Sequence, residues 1–280
     1  MSRAQPLDAK LSLVPLSRPL MTGEVLDAGF RLFRAGLLRT LPYSGLAVLV
    51  FELPAVFSMF FLPSSPRGSG SFFTVSHERA TAWVVATLLG AALLGVITLR
   101  LQAVSKAVRP RFRTEIATVI RRWPASLIAS LGAFGAPFLL FSLSKVLNNL
   151  LPGAALIFIG ALLLWPMALL VVALPAFWCD GLGPFAAIAQ ALRVSRRRSW
   201  RMFGAMLATA GMVTVFYAVS TILIAMLSQM IGRADLFLIA TVSSMMSLVV
   251  GAFGVPFVLA VLIVAYEDLK LRRQMREWRA

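Results

Sequence analysis

The sequence predicts an all-α fold: a polytopic helical membrane protein with six transmembrane helices and short cytoplasmic interfacial helices. Two observations carry this prediction, the composition of the chain and the alternation of apolar and basic segments along it. The 280-residue chain is 59% hydrophobic and 14% charged, whereas soluble domains are roughly 45–50% apolar and about 25% charged. Because so few charged residues cannot cover a water-facing surface, lipid must solvate much of the chain.

Six apolar stretches are long enough to cross a bilayer, which takes roughly 20 residues of helix. The stretches are 42–62, 80–99, 125–147, 154–177, 202–231 and 236–266. The last two exceed the required length, so we expect them to tilt, break or extend beyond the hydrocarbon. Gly251, Gly254 and Pro256 predict that the sixth helix is bent or made of two parts.

Basic residues collect in every second connection. Of the 27 lysines and arginines, 23 lie before residue 41, in 100–124, in 178–201 or after residue 266. Because basic residues near the ends of spans are retained in the cytoplasm, we expect both termini on that side. The net charge of +16 then belongs to loops beside a membrane, so nucleic acid is not an expected partner. The excess of arginine over lysine is typical of GC-rich bacterial genomes, and the expected location is the bacterial inner (plasma) membrane.

The chain divides into three parts. Residues 1–21 contain three prolines and no apolar run of the length a signal peptide needs, so we expect a flexible cytoplasmic arm. Residues 22–270 form the predicted six-helix transmembrane domain, and 271–280 form a basic cytoplasmic tail. Three arginine-bearing amphipathic segments each precede a pair of spans. This pattern fits either a threefold internal repeat or the three hairpins that any six-span protein contains.

Glu52 lies in the middle of the first predicted span, ten residues from each end and therefore near the bilayer midplane. A charged residue at that depth costs roughly 2.5–3.5 kcal/mol on insertion scales. Its side chain must then face protein or a wet cavity. One interpretation is a proton or cation site. The other is a neutral carboxyl group that hydrogen-bonds to a helix carbonyl, such as that of Val50, which Pro54 leaves free.

The arginines of the amphipathic segments are candidate contacts for anionic lipid headgroups, since each contributes about 1 kcal/mol beside an anionic leaflet. These candidates are Arg31, Arg34, Arg193, Arg196, Arg197, Arg198 and Arg201. The acidic residues at the same predicted depth are Asp27, Asp180, Glu267 and Asp268. We expect these acids to form helix-end ion pairs with Arg31, Arg272 or Arg273.

Metal and cofactor sites are not expected. The chain has one cysteine, Cys179, and one histidine, His77, so neither has a partner of its own kind for a zinc site. Methionines four residues apart, such as Met202 and Met206, carry thioethers that bind Cu(I) in other proteins. Without cysteine or histidine to join them, they are typical fillers of apolar gaps.

Three segments resemble the multi-pass membrane proteins related to the membrane domain of glycerophosphodiester phosphodiesterases. They are 23–34, which begins Gly23-Glu24-Val25-Leu26-Asp27; 175–201, which contains Asp180-Gly181; and 256–270, which ends Ala265-Tyr266-Glu267-Asp268-Leu269-Lys270. The resemblance implies the topology and the membrane location. It implies no phosphodiesterase activity, because the catalytic barrel of the fused members is a separate domain for which the six predicted spans leave no room.

The expected function is non-enzymatic: an accessory or scaffold component that engages membrane lipids or other membrane proteins. One alternative is a small transporter or channel with Glu52 on its path. The other is a lipid-modifying membrane enzyme. An enzyme of that kind needs clustered Asp, Glu, His or Ser near the headgroups, and here the few acids at that depth are expected to be held in ion pairs.

Overall fold

The computed structural model describes residues 18–61, 77–108, 112–130, 171–195, 199–230 and 236–278. Within these ranges the chain forms helices and no strand, which confirms the all-α class. The helices are α1 Thr22–Phe61, α2 His77–Ser105, α3 Phe112–Ser130, α4 Ala173–Cys179, α5 Pro184–Ser195, α6 Ser199–Met230 and α7 Leu236–Glu277. The amphipathic segment at the start of the chain and the first predicted span form one helix, α1. The sixth predicted span also continues unbroken, with Pro256 inside α7, so it is not divided into two parts.

Three of the described helices are long and apolar enough to cross a membrane, which makes the chain compatible with a membrane protein. The qualifying stretches are Val85–Ser105, Trp200–Met226 and Leu248–Met275. They fall on the second, fifth and sixth predicted spans. The described residues therefore support three spans and not the predicted six. The third and fourth predicted spans lie mostly in 131–170, outside the described residues, and the side chains of the first span are described only up to Phe51.

The core is built around the second half of α7, whose sequence is apolar on all sides over Leu259–Tyr266. A helix without a polar face is stable where neighbours surround it. Here α1, α2 and α6 pack against α7, and Ala260, Val261 and Tyr266 have no exposed surface. The segment most apolar in sequence is thus the one that lies at the centre of the described bundle.

Glycines allow close packing at several points of this core, and Gly29 and Gly95 are two of them. A Cβ atom on Gly29 would lie 2.9 Å from the Cα atom of Val261, so α1 and α7 touch backbone to backbone there. On α2, the indole of Trp178 occupies the space beside Gly95, 2.4 Å from where a Cβ atom would stand. Any larger residue at either site would force the helices apart.

The two halves of α1 take different courses along α7. Gly29 meets Val261 and Val48 meets Gly251, so 19 residues of α1 accompany only 10 of α7. Two straight rods lying side by side could not do this. Pro42 lies between the contacts and supplies the physical reason for a bend, because it has no N–H for the carbonyl of the residue four before it.

Candidate functional site

The described polar contacts concentrate at one end of the bundle, where segments distant in sequence meet. The first contact ties the chain before α1 to α7. The backbone N–H of Leu20 donates a hydrogen bond to Asp268 Oδ1 at 2.7 Å, and the carbonyl of Leu20 accepts from Arg201 and Arg272. Arg272 Nε also donates to Asp268 Oδ2 at 2.8 Å, and the Asp268 side chain is only 3% exposed. Both carboxylate oxygens of this buried acid are therefore occupied by contacts that hold the structure together.

The second contact joins the turn between α4 and α5 to the same helix. Tyr266 Oη donates to Asp180 Oδ2 at 2.5 Å, and Lys270 Nζ donates to Asp180 Oδ1 at 2.8 Å. Because Tyr266 and Lys270 are four residues apart, they share one face of α7 and both reach the same carboxylate. Asp180 is therefore held by two donors from α7.

The turn that carries Asp180 requires glycine at the next position. Gly181 has a φ of +71°, a left-handed conformation that costs other residues about 1–2 kcal/mol. The Arg122 guanidinium lies 2.8 Å from where a Cβ atom would stand on Gly181. Backbone conformation and crowding thus explain the Asp-Gly pair at this point of the sequence.

The third contact joins α1, α2 and α3. Arg100 Nε donates to Glu115 Oε2 at 2.9 Å, and both side chains are largely buried, with 13% and 9% exposed. The Arg100 guanidinium also lies 4.2 Å from the centre of the Tyr43 ring and donates to the carbonyl of Arg39 at 2.7 Å. That carbonyl is next to the Leu38 carbonyl, for which Pro42 provides no N–H, so the arginine adds a donor in the turn that the proline weakens.

The surroundings of two titratable groups outside the spans shift their pKa values. Burial raises the pKa of the Cys179 thiol to about 12, and the nearby Glu267 carboxylate acts in the same direction. A thiol that stays protonated is a poor nucleophile. The hydrogen bond from the Met21 N–H, together with the Arg18 guanidinium, lowers the pKa of Glu24. Glu24 lies three residues after Met21 and caps the start of α1, with Oε2 at 2.6 Å from the Met21 nitrogen.

Two of the expected helix-end ion pairs are confirmed. Asp27 pairs with Arg31 at 2.7 Å, and Asp268 pairs with Arg272. Asp180 instead pairs with Lys270, a partner that sequence analysis did not assign to it. No local pattern predicts this pair, because the two residues are 90 positions apart and only packing brings them together.

The predicted headgroup contacts fall into three groups. Arg34 and Arg193 are exposed and have no ion-pair partner among the described residues, and Arg31 is exposed beside Asp27. Arg201 is partly buried against the Leu20 carbonyl and so supports the fold. Arg196, Arg197 and Arg198 lie outside the described residues.

Glu52 lies within α1, but its side chain is outside the described part of the structure.

Among the described residues, no group of three or more His, Cys, Asp or Glu side chains is placed to hold a metal ion. Asp27, Glu115, Asp180 and Asp268 lie in separate contacts, each with an arginine or lysine donor. Glu267, which was expected to pair with an arginine, forms no ion pair among the described residues. No protein-family model matches the chain, and neither the curated proteins nor the solved structures contain a match.

Proposed function

We propose that this chain is a six-span protein of the bacterial inner membrane, with both termini in the cytoplasm, and that it acts as a non-enzymatic accessory or scaffold component. In this role it engages anionic lipid headgroups and other membrane proteins at its cytoplasmic face. The observation that carries the proposal is the use of the acids at the polar end of the bundle. Both carboxylate oxygens of Asp268 and of Asp180 accept hydrogen bonds, and these bonds hold the structure together.

This use of the acids favours a scaffold over an enzyme. A general acid or base must reach the substrate with a proton or a lone pair. The Asp268 and Glu115 carboxylates are buried in ion pairs with arginine. Asp180 is bonded by a tyrosine and a lysine of the same helix. Groups held in this way fasten the N-terminal segment and the α4–α5 turn to the bundle.

Exposed arginines support the lipid part of the proposal. Those without an ion-pair partner among the described residues are Arg34, Arg39, Arg113, Arg121 and Arg193. Each basic residue close to an anionic leaflet contributes about 1 kcal/mol of attraction. The same residues belong to the connections whose charge predicts the cytoplasmic side, so orientation and lipid contact rest on one set of charges.

The relation to membrane proteins of the glycerophosphodiester phosphodiesterase type is part of the proposal. The segments that carry the resemblance meet in space: Leu20, just before the first, bonds to Asp268 in the third, and Asp180 in the second bonds to Tyr266 in the third. Short motifs that are far apart in sequence have a common explanation if all of them help to form one polar end of the bundle.

A lipid-enrichment experiment tests the headgroup contacts. The full chain is reconstituted in bilayers of mixed anionic and zwitterionic phospholipid, and the anionic fraction in its first lipid shell is measured with spin-labelled lipids. A variant with Arg34→Gln and Arg193→Gln should lose part of the enrichment, whereas the charge-preserving Arg34→Lys and Arg193→Lys pair should keep it. Equal enrichment in all three proteins would refute the contacts, and phospholipid turnover by the purified protein would refute the non-enzymatic role.

A labelling experiment tests the orientation. In a cysteine-free background, a cysteine at position 113 should react with a membrane-impermeant maleimide only after cells are permeabilised. A cysteine at position 67, in a connection predicted to lie outside, should react in intact cells. The reverse pattern would refute the proposed topology.

A further inference from the structure

An apolar groove lies between the first half of α1, the middle of α6 and the middle of α7. Its volume is about 770 Å³, within the range of roughly 300–1,000 Å³ typical of small-molecule sites. Aromatic and methionine side chains form most of its walls: Phe30 and Phe33 from α1, Met212 and Phe216 from α6, and Phe253 and Phe257 from α7.

The groove exists because α6 leaves the bundle partway along its length. Near its start, Met202 and Ala205 are buried against the rest of the chain. About two to three turns after Ala205, Met212 and Phe216 are 45% and 66% exposed. On the opposite wall, Phe33 and Phe257 pack edge to face with ring centres 5.6 Å apart, which holds α1 and α7 together beside the opening. The gap is thus a feature of the helix arrangement.

The opening of the groove is set among helices of membrane-spanning character. Both α6 and α7 contain stretches long and apolar enough to cross a bilayer, and both carry side chains of the groove wall. Phe30, at 53% exposed, and Phe216 would be in contact with hydrocarbon at its mouth. The acyl chains of the surrounding lipids are therefore the nearest apolar groups that can occupy the groove.

The groove lining includes one carboxylate, and the guanidinium that pairs with it lies next to the lining. Asp27 is a charged residue of the lining, and its Oδ2 atom lies 2.7 Å from Arg31 Nη2. Both side chains keep more than half of their surface exposed, so each can still bond to a ligand. A carboxylate beside a guanidinium complements a headgroup that has an amine next to a phosphate. A headgroup with a phosphate and no amine would engage Arg31 alone and bring a like charge close to Asp27. An apolar helix would engage neither side chain.

We propose that this groove binds one zwitterionic, amine-bearing phospholipid, with an acyl chain against the phenylalanines, the ammonium group at Asp27 and the phosphate at Arg31. This inference rests on the proposed membrane location. It goes beyond the headgroup contacts of the exposed arginines, because it specifies one bound lipid and a preference against purely anionic headgroups.

Native mass spectrometry of the full chain, purified from bilayers with equal parts of phosphatidylethanolamine and phosphatidylglycerol, tests the site. We expect the wild-type protein to retain one phosphatidylethanolamine. Asp27→Asn should weaken retention about tenfold, since a hydrogen bond to a charged group is lost. Val249→Trp should abolish it by filling the groove, because Val249 is in the lining and 49% exposed there, so the indole enters the groove instead of the core.

The matched control is Leu207→Trp. Leu207 is 55% exposed on α6, and nine residues separate it from Phe216, which places it on the opposite side of that helix. It should retain the lipid as the wild type does. Circular dichroism and thermal unfolding of all variants show whether the fold is intact.

Four outcomes would overturn the inference. They are retention of phosphatidylglycerol in preference to phosphatidylethanolamine, undiminished retention by the Val249→Trp protein, crosslinking of a photoreactive residue at position 253 to another protein instead of lipid, and a wild type that retains no lipid. If the last is seen in a protein that is embedded and shows the expected labelling at 113 and 67, the groove assignment fails and the proposed function stands. A protein that does not embed in bilayers contradicts both.

Discussion

Helices α6 and α7 are both apolar enough to span a membrane, yet they stand in opposite environments within the described structure. Mean hydropathy is 1.9 over Trp200–Met226 and 2.8 over Leu248–Met275, while 6% of the first window and 61% of the second are buried. The difference shows that hydropathy identifies residues that avoid water without telling whether protein or lipid replaces it. Side chains on α6 are therefore solvated by lipid in our proposal, and those on α7 by the other helices.

The comparison of buried and exposed sites extends to the ion pairs within α7. Breaking the buried ion pair of α7 should lower the free energy of unfolding more than any other change. Asp268→Ala leaves Arg272 buried without its carboxylate and the Leu20 N–H without its acceptor. Breaking a buried pair from one side costs about 3–5 kcal/mol. Unfolding of the purified protein in mild detergent measures the loss.

The matched control lies one turn further along the same helix. Arg273 and Glu277 form another i, i+4 pair, but Glu277 is 61% exposed. Exposed pairs contribute about 0–1 kcal/mol, so Glu277→Ala should change the free energy of unfolding little. Similar losses in the two variants would contradict the buried role of Asp268.

Truncating one leucine on α6 and one on α7 tests directly whether lipid or protein surrounds each helix. Leu262 of α7 is 1% exposed and Leu223 of α6 is 51% exposed. Leu262→Ala should cost roughly 2–5 kcal/mol through the cavity it leaves, whereas Leu223→Ala should cost a small fraction of that because lipid or detergent fills the space. Equal effects would mean that α6 is packed against protein in the functional state.

Glycine replacements on α1 give a smaller effect. Gly29→Ala places a methyl group against the backbone of Val261, and such overpacking costs about 1–3 kcal/mol. Gly45→Ala on the same helix meets nothing within 4 Å and should stabilise the helix by about 0.5–1 kcal/mol. Opposite signs are the expected result, and thermal unfolding of the two variants measures them.

The partly buried thiol of Cys179 predicts a pH dependence. Because its folded pKa of about 12 exceeds the ordinary value of 9.0, the protonated form favours the fold. Its contribution is complete below pH 9 and is lost as the pH rises from about 9 to 12. In the folded protein, iodoacetamide should alkylate Cys179 far more slowly than the unfolded chain between pH 7 and 9. Fast alkylation of the folded protein would contradict the burial.

The smallest expected effect is at Glu52. In vesicles, neither the wild type nor Glu52→Gln should raise proton flux above that of empty vesicles, since a scaffold carries no ions. A flux that disappears in Glu52→Gln would instead favour the transporter alternative.

The spacing of residues along the chain predicts the local ion pairs but not the distant ones. Asp27–Arg31 and Asp268–Arg272 follow from i, i+4 spacing on a helix, which is readable from the chain. The Asp180–Tyr266 hydrogen bond and the anchoring of Leu20 depend on how segments pack, so no local pattern announces them. The Arg100–Glu115 pair had one signal, a lone glutamate within the strongly basic 100–124 segment.

The sequence by itself determined the helical class, the positions of the apolar segments and the arginine-rich connections. These follow from transfer free energies and backbone periodicity, which act locally. Only the tertiary structure decided that α7 is the buried helix, that Asp180 and Asp268 serve as fasteners, and that a groove with a carboxylate in its lining lies beside α6. The physical reason is that apolar surface gains nearly the same free energy from lipid as from protein, so shape and close packing make the choice.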